Sequence, residues 1–225
     1  MLPRQIKLIC FLRPPLSFNQ YTLITVETPI SICMIDTQGK LLIAPPNMPD
    51  PRFRKTVVYI WRHDVSGAAG VVINKRCQQP DFKHICTEGL IKRLPKVNHP
   101  VYYGGPVLTN VVGVLHSTDF RLTSTNTLVD DKIGFTLDRK ILEDIATGGG
   151  PKTRLITMGM ANWEAGQLEG ELDPVPPRPK SLSWLVLPYN EDIVFTDKPN
   201  QMWEKCVNLA VSNKTAEITS RIFKD

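Results

Sequence analysis

The chain has four histidines, the side chains whose charge changes nearest neutral pH. Two sit in suggestive company. His63 closes one apolar run and Asn74 closes the next, so a hairpin would set the pair side by side, able to orient a ligand or a water. The competing reading is a hydrogen-bonded loop clamp, with Gly67 and Gly70 supplying backbone freedom. The lack of an accompanying nucleophile favours the clamp. His116 is followed by Ser117, but neighbours on a strand point to opposite faces and no G-x-S-x-G elbow surrounds the serine, which disfavours a serine hydrolase. Trp163, Gln167 and Glu171 recur at i, i+4 and i+8, so a helix opened by Asn162 would align them on one face, with Glu169 on another. An indole beside an amide and a carboxylate suits a polar-tipped pocket; it equally suits a partly buried tryptophan under a solvated face.

Other groupings are weaker. Gly148-Gly149-Gly150-Pro151-Lys152 precedes a strand rather than a helix, the reverse of a phosphate-binding loop, and reads as a helix stop. Cys77, His84 and Cys86 lack a fourth ligand at zinc spacing. The five cysteines include no CxxC pair, which argues for a reducing compartment, and neither metal nor cofactor is expected. Arg52, Arg54, Lys55, Arg62, Lys75 and Arg76 against Asp64 give residues 52–76 a local charge of +5. This is the best anion-facing patch, yet no recognition helix or zinc-finger spacing accompanies it, and sequence-specific DNA binding by the isolated protein is not expected.

The elements that must position these residues follow from hydrophobic period and punctuation. Strands are predicted at Leu41–Ala44, Val57–Trp61, Val71–Ile73, Val101–Tyr103, Val111–Leu115, Leu155–Met160, Trp184–Leu187 and Ile193–Phe195, with a hairpin within residues 120–137. Gly67–Gly70 reads as a turn, and residues 81–94 have helical spacing. Asp138 caps a helix through Ala146, Asn162 caps one from Trp163 to about Leu172, and Pro199 opens the last, over Gln201–Val211. Interleaved strands and helices place the chain in the α/β or mixed α+β class.

At 225 residues the chain suits one large domain, taken to span residues 34–225. Residues 1–33 form a proline-bearing extension; Met34 offers an alternative start. The extension's only evident means of joining the fold is an added edge strand over residues 21–26. No apolar run is long enough to span a bilayer, so no membrane association and a cytoplasmic location are expected, or an organellar one if the extension is a targeting peptide. The net charge of +5 is shared as +2 on the extension and +3 on the remainder.

Several motifs recur in a recognisable order. Leu41–Pro46 is followed by Asp50-Pro51-Arg52-Phe53, then His63-x3-Gly67-x2-Gly70-x3-Asn74-Lys75. Tyr103-Gly104-Gly105-Pro106-Val107, Val114-Leu115-His116-Ser117 and Gly149-Gly150-Pro151 come next. Gly159-x3-Trp163-x2-Gly166-Gln167-Leu168-Glu169 and Trp184-Leu185 complete the set. Together they resemble the YqgE/AlgH family over about residues 34–210. Two departures stand out. Met160 and Asn162 replace residues of the family's Gly-Tyr-Ala-Gly-Trp run, and a Pro-rich stretch, residues 174–180, separates the Gln-Leu-Glu helix from Trp184, with Leu182 where the family has asparagine. Any family role of that tyrosine or asparagine is not carried over. The resemblance implies a three-layer α/β sandwich around a mixed sheet, with residues 80–100 as a candidate small α/β subdomain. It also implies a regulatory label, since members are often called transcriptional regulators, but no reaction. Two functions remain: a regulatory or interaction protein that binds an unidentified protein or small molecule, touching transcription indirectly, or an enzyme or ligand binder with a pocket around His63, Asn74, His116 and Gln167.

Overall fold

The computed structural model describes residues 36–91, 94–122, 127–129, 131–177, 179 and 182–222. The extension, with its candidate edge strand, lies outside the described residues. The strands are β1 (Leu41–Ile43), β2 (Val57–Asp64), β3 (Gly67–Val72), β4 (Val101–Tyr103), β5 (Val107–Ser117), β6 (Thr127–Leu128), β7 (Ile133–Thr136), β8 (Arg154–Glu164) and β9 (Leu185–Leu187). The helices are α1 (Phe82–Ile85), continued by a π-helical turn Cys86–Leu90, then α2 (Arg139–Thr147), α3 (Gln167–Leu172), α4 (Glu191–Val194) and α5 (Pro199–Ile222).

The sheet runs β6-β7-β5-β8-β3-β2-β1-β9, and β4 joins off this path. Every pairing is antiparallel except β4 with β8, so the sheet is mixed. Strand β8 is the spine. Its first half pairs β4 through Ile156–Met158, and its second half pairs β3 through Ala161–Glu164. Gly159, at φ +80, sits at the changeover. A side chain there would strike the Gly105 carbonyl oxygen, and one at Gly104 would strike the Gly159 carbonyl oxygen. The Gly104-Gly105 motif thus lets two backbones close on each other, because only hydrogen fits between them.

Alternation of side chains builds the layers. Leu41, Ile43, Tyr59 and Val71 face one way and join Leu115, Phe135 and Leu155 in a core closed by Ile193, Val194, Met202 and Cys206 from α4 and α5. Trp61 stacks on Phe135 at 4.9 Å, holding β2 over β7 on this face. Leu42, Val58, Ile60 and Val72 face the other way, onto Leu168 of α3, Trp163 and Trp184. On the other half of the sheet, Val101, Val114 and Ile156 are covered by Phe82, Ile85, Ile141 and Ile145. Helices therefore lie on both faces, giving the three-layer mixed α/β fold that was expected. Phe82, Ile85, Cys86 and Ile91 pack into the same cluster as α2.

Several local expectations are corrected. Gly67–Gly70 is strand, and the reversal falls at Val65-Ser66, where the Asp64 carboxylate accepts from the Ser66 amide at 2.8 Å. Side chains at Gly67 and Gly70 would collide with the carbonyls of Trp163 and Tyr59, so these glycines serve close strand packing. Ile193–Phe195 is not a strand: Asn190 caps α4 by accepting from the Ile193 amide at 3.1 Å, and a side-chain cap overrides β-branched propensity. The helical run over 81–94 shortens to α1 and its π turn. Asp138 does cap α2, and Gly148 ends it at φ +91.

Candidate functional site

The helix expected to carry Trp163 starts later. Trp163 is still on β8, paired with Ala68, and Asn162 pairs with Ala69 instead of capping. Gly166, at φ +77, makes the turn, and α3 begins at Gln167. Glycine is suited to that left-handed position, which ends β8 abruptly. The face-sharing of Gln167 and Glu171 survives because both lie on α3, whereas Trp163 reaches them from the strand.

Two polar constellations result, one on each side of α3. On one side the Glu171 carboxylate accepts from Trp163 Nε1 at 3.1 Å, Trp184 Nε1 at 2.7 Å and Gln167 Nε2 at 3.1 Å. Gln167 Oε1 accepts in turn from the Glu164 amide at 3.1 Å. Phe53 completes the aromatic side, with ring centroids 6.4 Å from Trp163 and 5.7 Å from Trp184. Both indoles are buried. The loop containing the Pro-rich stretch leaves α3 and returns at Trp184, so Glu171 ties the loop at its base.

On the other side Glu169 reaches His63. The His63 Nε2 to Glu169 Oε1 distance is 3.1 Å, and His63 Nδ1 faces the Thr37 amide at 3.2 Å and its hydroxyl at 2.9 Å. An amide N–H can only donate, so Nδ1 is the acceptor and Nε2–H donates to Glu169. This Thr37–His63–Glu169 chain has the order of a hydroxyl, base and carboxylate. However, Thr37 is fully buried and the His63 side chain is 1% exposed, so no substrate reaches the hydroxyl in this conformation.

The other candidates lie apart. Asn74 accepts from the Val57 amide at 2.9 Å and donates to the Lys55 carbonyl at 2.9 Å, a clamp across the base of the β2–β3 hairpin. His63 pairs with Ala68 near the hairpin tip. His63 lies six residue steps along the strand from Val57, roughly 20 Å at the rise of a β-strand. The expected side-by-side pairing of His63 and Asn74 is therefore corrected by register. His116 is fully buried on β5; its Nδ1–H donates to the Ser117 carbonyl at 2.9 Å, and Nε2 accepts from the Thr136 hydroxyl at 2.9 Å. Burial pushes its pKa down. The Ser117 hydroxyl turns to Asp119 instead, consistent with opposite faces. The expected pocket joining His63, Asn74, His116 and Gln167 is not formed by this geometry.

Five of the six basic candidates gather at the hairpin base. Lys75 Nζ donates to the Arg52 carbonyl at 3.1 Å, and Arg54 donates to the Met48 carbonyl at 3.3 Å. Lys55 lies 5.6 Å from the centre of the Trp203 ring, and Arg76 donates to the Tyr102 hydroxyl at 3.2 Å. Arg52 is ion-paired with Asp50 at 2.7 Å, which holds the Asp50 carboxyl below its usual range. Arg62 sits near the hairpin tip beside Asp64 and does not join them. Among the described residues, no group of three or more metal-binding side chains forms.

One recess was not legible in the sequence. It has a volume of about 70 Å³ and is lined by His99, Pro100, Tyr102, Arg154, Leu155, Ile156, Phe195 and Thr196. These residues come from β4 and the two residues before it, the start of β8 and the turn after α4, segments that no local motif connects.

This fold and its motif order have relatives. A model of the AlgH-like family matches residues 41–213. The chain belongs to that family. A UPF0301 protein of Methylobacterium nodulans is 34% identical over 177 residues, covering 75% of this chain and 81% of the relative. One from Rhodospirillum rubrum is 38% identical over 158 residues, covering 70% and 78%. Among solved structures, the solution structure of the AlgH protein from Pseudomonas aeruginosa has a TM-score of 0.63 at 32% identity, covering 78% of this chain and 88% of that one. A crystal structure of a Corynebacterium diphtheriae protein has a TM-score of 0.57 at 18% identity, covering 76% and 85%, and so supports the fold alone. The AlgH-like motifs now acquire physical roles: His63 and Glu169 join β2 to α3, Asn74 clamps the hairpin base, and Gly104-Gly105 packs on Gly159.

Proposed function

We propose that this AlgH-like protein is a cytoplasmic regulatory or interaction protein that acts by binding, with any effect on transcription exerted through a partner. One observation carries the reading. The candidate pocket residues His63, His116 and Asn74 have both ring nitrogens, or both amide atoms, engaged internally: His63 with Thr37 and Glu169, His116 with Ser117 and Thr136, Asn74 with Val57 and Lys55. Such groups position strands and leave no obvious proton acceptor for a substrate. The basic hairpin base supports an acidic partner, since Arg54, Lys55, Lys75 and Arg76 make their side-chain hydrogen bonds and ring contacts with neutral groups and, among the described residues, form no ion pair. Among the described residues no helix is long and apolar enough to cross a membrane.

The test pairs variants. Lys55→Glu with Lys75→Glu should abolish co-purification of partners from host cells at about 150 mM salt, where screening leaves only close charge contacts. His63→Ala should leave it intact. Turnover of ester or phosphoester substrates by the wild-type protein, lost in His63→Ala or His116→Ala, would overturn the reading and restore the enzyme.

A further inference from the structure

The recess beside Arg154 combines apolar walls from Pro100, Leu155, Ile156 and Phe195 with the polar side chains of Arg154, His99, Tyr102 and Thr196. Arg154 emerges at the start of β8, where its Nη1 donates to the Pro151 carbonyl at 2.6 Å and its Nη2 to His99 Nε2 at 3.2 Å. Its Nε–H is buried without a partner. A guanidinium cannot give up its proton, so His99 must be the acceptor and is neutral. Thr196 Oγ1 accepts from the Lys198 amide at 3.2 Å, leaving its own O–H to donate. The Tyr102 hydroxyl accepts from Arg76 Nε and likewise keeps its proton for another acceptor. Arg76 brings a second positive charge, with its Cζ 5.8 Å from the Tyr102 ring centre. No carboxylate lines the recess, and among the described residues Arg154 makes no ion pair.

A partly buried cation with no counter-charge, facing a polar recess, is an unfavourable arrangement that an anion relieves. Burial is what depresses the Arg154 pKa, and His99 is pushed down by burial and by Arg154. Arg154 is thus partly stripped of water, and its charge is felt at His99. The volume of about 70 Å³ exceeds the room for one water several-fold and suits a group of a few heavy atoms, not a nucleotide. Charge-assisted bonds from an arginine and two hydroxyls match the acceptors of an oxyanion.

We propose that this recess binds a small oxyanion, a phosphate or carboxylate group, with Arg154 as its counter-charge and Thr196 and Tyr102 as donors. The recess adjoins the hairpin base through Arg76, and the role requires no macromolecular partner there.

The test is a titration of the full chain at constant ionic strength, with inorganic phosphate in one arm and acetate in the other, chloride being the balancing anion. Binding is read by NMR on the Arg154 Nε–H and the amides of His99 and Thr196, and by calorimetry. Saturable shifts at these three groups are expected in at least one arm, and the arm that saturates identifies the group. Arg154→Gln should weaken binding about tenfold or more, the loss of one charged hydrogen bond. Arg139→Gln, on α2 and outside the recess, should leave it unchanged. Should Arg154→Gln fail to fold, the wild-type shifts still decide. Absence of saturation in both arms, shifts elsewhere only, or equal affinity in a folded Arg154→Gln would overturn the proposal.

Discussion

Replacing Glu171 by leucine strands the indole N–H groups of Trp163 and Trp184, which converge on one carboxylate oxygen at 3.1 and 2.7 Å. Both tryptophans are buried, at 6% and 4% exposure, so water does not readily replace the lost acceptor. Each buried unsatisfied donor costs about 1–3 kcal/mol, so the pair should cost roughly 2–6 kcal/mol in unfolding free energy. That is a large share of the 5–15 kcal/mol typical of a domain. Glu171→Gln keeps an oxygen acceptor but loses charge assistance and sets its amide against that of Gln167, and should cost only about 1 kcal/mol. Urea unfolding followed by tryptophan fluorescence reads the free energy, and near-UV circular dichroism reads the packing of Phe53, Trp163 and Trp184. An unchanged midpoint in Glu171→Leu, to within about 0.5 kcal/mol, would refute the assignment of Glu171 as the acceptor that holds α3 to β8 and β9.

Asn74→Ala should destabilise by about 2 kcal/mol, because the Val57 amide and Lys55 carbonyl lose their partners together; thermal unfolding checks it. His116 is held neutral with a depressed pKa, so its contribution is fully present above the ordinary 6.5 and is lost as pH falls below that value; a pH series of urea midpoints should show this slope, and His116→Gln should flatten it. Burial pushes the Cys206 thiol up to about 11 from 9.0, so the unfolded chain ionises first and stability should fall as pH rises between those values; native alkylation at pH 8 should spare Cys206. A gel-shift at about 150 mM salt should show no preference among duplexes, since the hairpin base offers a few phosphate contacts and no base readout; nanomolar, sequence-selective binding would restore a direct regulator.

The parts of the fold set by local chemistry were readable: Asp138 and Gly148 bound α2 through a cap and a left-handed glycine, and alternating apolar residues mark β1 and β2. The errors fall where distant partners decide. Gly67–Gly70 has turn composition, yet its missing side chains serve to admit Trp163 and Tyr59 backbones, an approach visible only once β3 lies between β2 and β8. Trp163 fits a helical period with Gln167 and Glu171 by sequence, but the same three groups meet equally well when a strand end delivers the indole to a helix that starts at Gln167. Periodicity thus identified the right companions through the wrong element. Arg154 marks the limit of such reasoning. Its neighbours His99 and Thr196 lie on segments far from it in sequence, and what gives Arg154 its character is a missing carboxylate, which no motif can encode. Glu171 is matched to its two indoles; Arg154, beside a recess with no acidic residue in its lining, is not, and that contrast is what motivates the proposed anion.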